Sequence, residues 1–180
     1  MEFESVIRSR ESIRDFSDKK VEDEKINFVL ECARLAPSWT NKQCWQFIVV
    51  KDKKIIKDLS KTSIINRWLK NVPVIIVACG NPKQSGFRNG IEYFIVDVSI
   101  ALEHLVLAAT DKGLGTCWIG GFNGKKIKEI LEIPENIRVV ALTPLGYPAE
   151  RKRFVGKLAK IIVQSKKRKS LDKIIHENIW

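Results

Sequence analysis

Between Ala36 and Trp45 the chain reads Ala-Pro-Ser-Trp-Thr-Asn-Lys-Gln-Cys-Trp, which sets Ser38, Thr40, Asn41 and Gln43 between two tryptophans. Hydroxyl and amide groups beside flat apolar surfaces suit a planar ligand with polar edges. Ser and Asn also favour loops for local reasons, so this segment does not stand alone. Upstream, Arg8-Ser9-Arg10-Glu11-Ser12-Ile13-Arg14-Asp15-Phe16 gathers three arginines and two serines at a helix end. Arginine's planar fork donates paired hydrogen bonds to phosphate. Downstream, Gly113-Leu114-Gly115-Thr116-Cys117-Trp118-Ile119-Gly120-Gly121-Phe122 stops a long helix, enters a strand and closes it on two glycines. Adjacent glycines let a backbone approach a ligand closely and present its N–H groups.

The elements that carry these segments alternate between helix and strand. Phe3, Val6 and Ile7 mark a short amphipathic opening. Val21–Ala36 repeats apolar residues at Ile26, Val29, Leu30 and Ala33, one face of a helix. Trp45–Val50 and Pro73–Cys79 are short runs rich in Val and Ile, hence buried strands, and Val139–Leu145 supplies a last strand before Gly146-Tyr147-Pro148. Ile91–Lys112 is the longest helix, with a seam at Phe94, Val98, Ala101, Leu105 and Ala108. Ile95, Ile100, Leu102, Val106 and Leu107 occupy its other sides, so it must be buried on two faces, and a second subunit could cover one. Alternation alone suggests a doubly wound parallel sheet. Gly113-x-Gly115 argues against it, because it follows a helix and precedes a strand, the reverse of a dinucleotide fingerprint.

At 180 residues and 44% hydrophobic, the chain can bury one core as a single domain, 1–180. Its four cysteines (Cys32, Cys44, Cys79, Cys117) show no C-x-x-C spacing and read as buried reduced thiols. His104 and His176 have no evident nucleophile partner, and no metal cluster is apparent. No signal peptide opens the chain and no apolar run reaches about 18 residues, so a cytoplasmic protein without a membrane span is expected. The net charge is +11, and residues 151–169 hold nine Lys or Arg with no Asp or Glu. Phe154, Val155, Leu158, Ile161 and Ile162 fall there at helical spacing, as in a basic amphipathic helix. That segment could bind nucleic acid or an anionic membrane surface. The preferred reading packs it on a partner subunit with its lysines in water.

Five motifs in order, Arg10-x-Ser12-x-Arg14 with Phe16, Ala36–Trp45, Gly113–Phe122, Gly146–Glu150 and Lys166-x-Arg168-x-x-Leu171, together with Trp180, give the chain a specific likeness. It resembles the FMN-dependent nitroreductase family over nearly its whole length, with 151–165 fitting least. The resemblance implies an α+β fold, a mixed, mainly antiparallel sheet flanked by helices, in an intertwined homodimer with a flavin in each of two interface clefts. It implies that Arg10 and Ser12 contact the FMN phosphate and ribityl chain, completed by Lys166 and Arg168. Arg14 would lie near the flavin pyrimidine edge, where a cation raises the reduction potential. Pro37, Ser38 and Asn41 would reach the flavin from the partner subunit. Ile119, Gly120 and Gly121 would lie along the ring with a backbone N–H toward N5, and Asn66 would touch it too. Two positions depart from the pattern: Cys44, where proline is usual, and Trp39, which could wall the substrate cleft or cover the dimer surface.

The implied reaction is ping-pong transfer of hydride from NAD(P)H through flavin N5 to a nitroaromatic, quinone or similar small acceptor, with no side-chain acid, base or nucleophile required. Flavin-fragmenting and dehalogenating members leave the reaction type open. The segment Asn81–Gly90 is short where larger relatives carry helical insertions. The alternatives are a flavin-binding protein without turnover, or binding of an anionic surface or nucleic acid through 151–169.

Overall fold

The computed structural model describes residues 1–150 and 168–180. The expected basic helix within 151–169, and Lys166 with it, lies outside the described residues apart from Arg168 and Lys169. Four strands form one sheet in the order β1 (Trp45–Val50), β2 (Val74–Gly80), β6 (Arg138–Gly146), β5 (Gly115–Thr116), and every neighbouring pair is antiparallel. Among the described residues, the parallel component of the expected mixed sheet is a single bridge, Ser12 to Thr116. A two-residue-stranded hairpin, β3 (Phe87–Arg88) and β4 (Ile91–Glu92), turns on Asn89 and Gly90, both at positive φ. That pair is the sequence such tight turns require.

Strand β2 is buried along its whole length, and its side chains alternate between two cores. Val74, Ile76 and Ala78 face α2 (Asp23–Arg34) and α4 (Tyr93–Asp111), meeting Val29, Ala33, Val98, Ala101 and Leu105. Ile75, Val77 and Cys79 face α3 (Lys53–Ser60) and α5 (Gly124–Leu131), meeting Ile56, Leu59, Ile127 and Leu142. Asp52 caps α3 by accepting from the N–H groups of Lys54 and Ile55, and Asn123 caps α5 through that of Lys126.

Helix α4 follows the expected range closely, but this chain covers only one broad face of it. Phe94, Val98, Ala101, Leu102 and Leu105 are buried, while Ile95 and Val96 are exposed. Among the described residues it is the one helix long and apolar enough to cross a bilayer, and half of that window is buried inside the fold. It ends at Gly113, whose φ of 73° a side chain would strain. The Leu114 N–H bonds to the Ala109 carbonyl at 2.8 Å and the Gly113 N–H to that of Thr110 at 3.0 Å, a Schellman closure. This stop turns the chain onto β5 and so fixes where the third motif begins. Helix α1 (Phe3–Ser9) packs on α4, with the Met1 ammonium on Asp111 at its C-terminal end. Only Val6 of α1 is buried, leaving Phe3 and Ile7 exposed.

Because the sheet separates the two cores, substitutions in them should act independently. Leu105→Ala and Leu142→Ala are each expected to cost about 3 kcal/mol in urea unfolding. The double variant should equal their sum within about 0.5 kcal/mol.

Candidate active site

The two-arginine segment leaves α1 at Arg10, whose N–H still bonds to the Val6 carbonyl at 3.0 Å. It then runs beside β5, where the Ile13 N–H meets the Thr116 carbonyl at 2.8 Å and the Ile13 side chain lies against Gly115. A Cβ at Gly115 would sit 2.8 Å from Ile13 Cγ1, so the glycine is what admits this segment to the sheet edge. Further on, Phe16 bridges Pro148 and the Ser17 N–H bonds to the Tyr147 carbonyl at 2.9 Å. Tyr147 is held in turn: its hydroxyl donates to Glu22 Oε2 at 2.6 Å and accepts from Lys25 Nζ at 2.7 Å. The Gly146-Tyr147-Pro148 motif thus anchors the arginine segment from behind.

Arg10 and Arg14 are half-buried, and neither lies within ion-pair distance of a carboxylate among the described residues. Arg14 Nη1 donates to the Ser12 carbonyl at 3.4 Å. Both guanidiniums and the Ser12 hydroxyl also act on Cys117: burial pushes its thiol up, and these three groups pull against it. Ile119, buried, exchanges both backbone bonds with Leu142 at 2.9 and 3.0 Å. Beyond it Gly120 and Gly121 are exposed, and a Cβ at either would meet nothing within 4 Å. Among the described residues nothing packs against the Cβ position of either glycine, which leaves open space beside them. Asn66 comes to this edge as well, its Nδ2 donating to the Gly121 carbonyl at 3.3 Å and to Ser63 Oγ at 3.1 Å. Arg10, Ser12, Arg14, Asn66, Ile119, Gly120 and Gly121 therefore share the β5 side of the sheet.

Pro37, Ser38 and Asn41 do not join them. Their segment leads into β1, the opposite edge, three strand spacings or about 14 Å away. It is pinned near the start of α4, where the Trp39 N–H donates to Asp97 Oδ1 at 2.8 Å. Asp97 and Asp111, at the two ends of that helix, lie about 21 Å apart along its axis. Within the segment, Thr40, Asn41 and Gln43 all have positive φ (46°, 57° and 50°). Left-handed backbone costs a non-glycine residue about 1–2 kcal/mol. The geometry is held by Ser38 Oγ, which accepts from the Gln43 N–H at 2.9 Å, and by Gln43 Nε2, which donates to Asn41 Oδ1 at 3.0 Å. Strain of this kind gathers at functional sites.

Two residues singled out in the sequence point elsewhere. Trp39 is tilted against Tyr93 with ring centroids 4.1 Å apart, and its ring leaves no room for a side chain at Gly86. It packs into its own chain. Cys44 is fully buried beneath the segment, with Sγ 3.5 Å from Asp97 Oδ2, so it presents nothing to a ligand. Burial and the neighbouring Asp97 push its thiol up to about 11. Arg168 is exposed at the start of the C-terminal described stretch. Asp97 and Ser85 went unnoticed in the sequence. The available signal was a lone acidic residue on the core-facing side of an otherwise apolar helix stretch.

The nitroreductase family model matches residues 7–65 and 60–147. A protein of Archaeoglobus fulgidus named as an NADH dehydrogenase/NAD(P)H nitroreductase is 39% identical over 153 residues, covering 83% of this chain and 87% of the relative. The crystal structure of a nitroreductase family protein from Clostridium novyi NT superposes with TM-score 0.81 at 45% identity, over 83% of this chain and 87% of that one. An FMN-dependent nitroreductase from Clostridium difficile R20291 superposes with TM-score 0.79 at 30% identity, over 97% and 98% of the two chains. The chain belongs to the nitroreductase family. The residues at the β5 edge are compatible with the family's flavin mononucleotide: half-buried guanidiniums with no ion-paired carboxylate among the described residues suit an anionic, polar-edged ligand, and an open glycine edge suits a flat ring.

The thiols give a pH-dependent check. Cys44 and Cys79 are both pushed up to about 11 from the ordinary 9.0. Between those values the folded thiols keep protons that unfolded ones lose, so stability is unaffected below about pH 9 and falls as pH rises toward 11. In the folded protein at pH 8, iodoacetamide should alkylate half-exposed Cys32 first and leave Cys44, Cys79 and Cys117 unmodified by mass spectrometry.

Proposed function

We propose that this oxidoreductase passes reducing equivalents from NAD(P)H to a nitroaromatic, quinone or similar small acceptor, one molecule after the other at a single cofactor face. FMN, when bound, supplies the hydride chemistry, and the chain supplies binding, orientation and charge. Arg10 and Ser12 hold the phosphate and ribityl chain. Arg14 places positive charge at the pyrimidine edge, which favours electron uptake. Gly120 and Gly121 offer backbone N–H groups while leaving the ring face uncovered, and Asn66 steadies the Gly121 carbonyl.

The observation that carries this reading is the division of the site between opposite sheet edges. Ser38 and Asn41 lie on the sheet edge opposite the arginines and glycines, which supports completion of each site by Pro37, Ser38 and Asn41 of the partner subunit. Exposed apolar residues support a homodimer of this kind: Phe3 and Ile7 on α1, Ile95 and Val96 on α4, and Ile174, Ile175 and Trp180 near the C-terminus. Exposed apolar side chains in such number favour an association surface.

The test is complementation between subunits. Arg10→Ala and Asn41→Ala should each weaken FMN binding about tenfold or more in their own homodimers, the worth of a charged or buried hydrogen bond. Unfolded and refolded together in equal amounts, the two variants form mixed dimers with one intact site each. About one quarter of all sites should then bind FMN with wild-type affinity by fluorescence titration, as random pairing in a two-fold dimer requires. No recovery would mean that both residues serve the same site from one chain.

A further inference from the structure

We infer that Asp97 is a positioning residue for the cofactor site, acting through the Ser38–Gln43 arc rather than on the cofactor itself. The inference rests on the assignment of Ser38 and Asn41 to that site.

Asp97 is only 2% exposed and has no basic side chain within ion-pair distance among the described residues. A carboxylate buried without a cation destabilises a fold unless donors fill its oxygens. Here the donors are three groups from two segments, the arc and the stretch before the β3–β4 hairpin. Oδ1 accepts from the Trp39 N–H at 2.8 Å, at the start of the arc. Oδ2 accepts from Ser85 Oγ at 2.6 Å and faces Cys44 Sγ at 3.5 Å, the residue that closes the arc. One side chain on α4 therefore holds both ends of an arc whose middle contains three left-handed residues. Ser85 ties the same carboxylate to the stretch before the β3–β4 hairpin, where the Tyr93 N–H bonds to the Gly86 carbonyl at 2.8 Å and Trp39 fills the space beside Gly86. Arc and hairpin base are thus fixed to one point on the helix. Loss of that point leaves the strained arc free to relax, carrying Ser38 and Asn41 out of place. The anchor is also specific in direction. An asparagine can still accept the Trp39 N–H on its amide oxygen while its NH₂ donates to the Ser85 hydroxyl, whereas an alanine can do neither.

The experiment compares FMN release from the holoprotein, read as recovery of free-flavin fluorescence on dilution, with amide exchange of peptides spanning residues 36–45. Asp97→Ala should release FMN about tenfold faster and raise exchange in 36–45 by a similar factor. Asp97→Asn should stay within about threefold of wild type in both. Val29→Ala, a change in the same core at a side chain that makes no hydrogen bond to the arc, should lower the melting temperature and leave release unchanged. If the alanine variant does not accumulate folded, Ser85→Ala takes its place, with release about threefold faster expected and unchanged release contradicting the inference. Equal effects of Asp97→Ala and Val29→Ala would reduce Asp97 to a structural role and overturn it. Faster release in Asn41→Ala but not in Asp97→Ala would overturn the inference alone. Unchanged release in both would remove the arc from the cofactor site, and the assignment on which the inference rests would fall with it.

Discussion

Strand β2 donates and accepts along both of its edges, to β1 on one side and β6 on the other, while its side chains divide between two cores. A strand so enclosed has no freedom of register, because a slip of one residue would exchange every side chain between the cores. The position of everything outside it follows. β1 must be one outer edge, and β6 must carry β5 as the other. The two segments richest in polar groups are attached to these outer edges, so the sheet that stabilises the chain also keeps them apart. The proposed site, which draws on both segments, is for that reason one assembled from two copies, and the proposal ties catalytic competence to association.

Within each half, rigidity has a different origin. At the β5 edge it comes from backbone pairing: the arginine segment is bridged to Thr116 and, through Phe16 and Ser17, to the Tyr147 region. Arg10 and Arg14 are carried half-buried on this paired backbone, with no ion-paired carboxylate among the described residues. At the β1 edge the backbone is strained, and side chains hold it. Ser38, Gln43 and Asp97 supply bonds to an arc that would otherwise relax from its left-handed conformation. Preorganisation of both kinds lowers the cost of ordering groups when a ligand binds.

The sequence conveyed most where periodicity was long or motifs were dense. Trp45–Val50 forms a strand with the expected ends, and the apolar seam of α4 is the face turned to the sheet. Helices α3 and α5 were not anticipated: each is eight residues long and rich in lysine, and α5 buries only Ile127 fully. Their cap residues, Asp52 and Asn123, were the readable signal. The Asn89–Gly90 turn was equally readable, but the flanking strands have only two residues each. Asp97 was hidden by its surroundings, since it is one of three acids in α4 and only the fold distinguishes it, buried, from exposed Glu103. Cys44, although it stands among polar ligand-type residues, is the buried free thiol that its composition context indicated.

The central claim is that this chain holds a flavin that accepts electrons from a nicotinamide donor. The most direct measurement is the visible absorption spectrum of the purified protein before and after anaerobic NADH or NADPH. The account requires flavin bands that bleach on addition and return when a quinone or nitroaromatic is supplied. A colourless protein that fails to take up added FMN would contradict it, and would leave the open glycine edge and the two arginines without their proposed ligand.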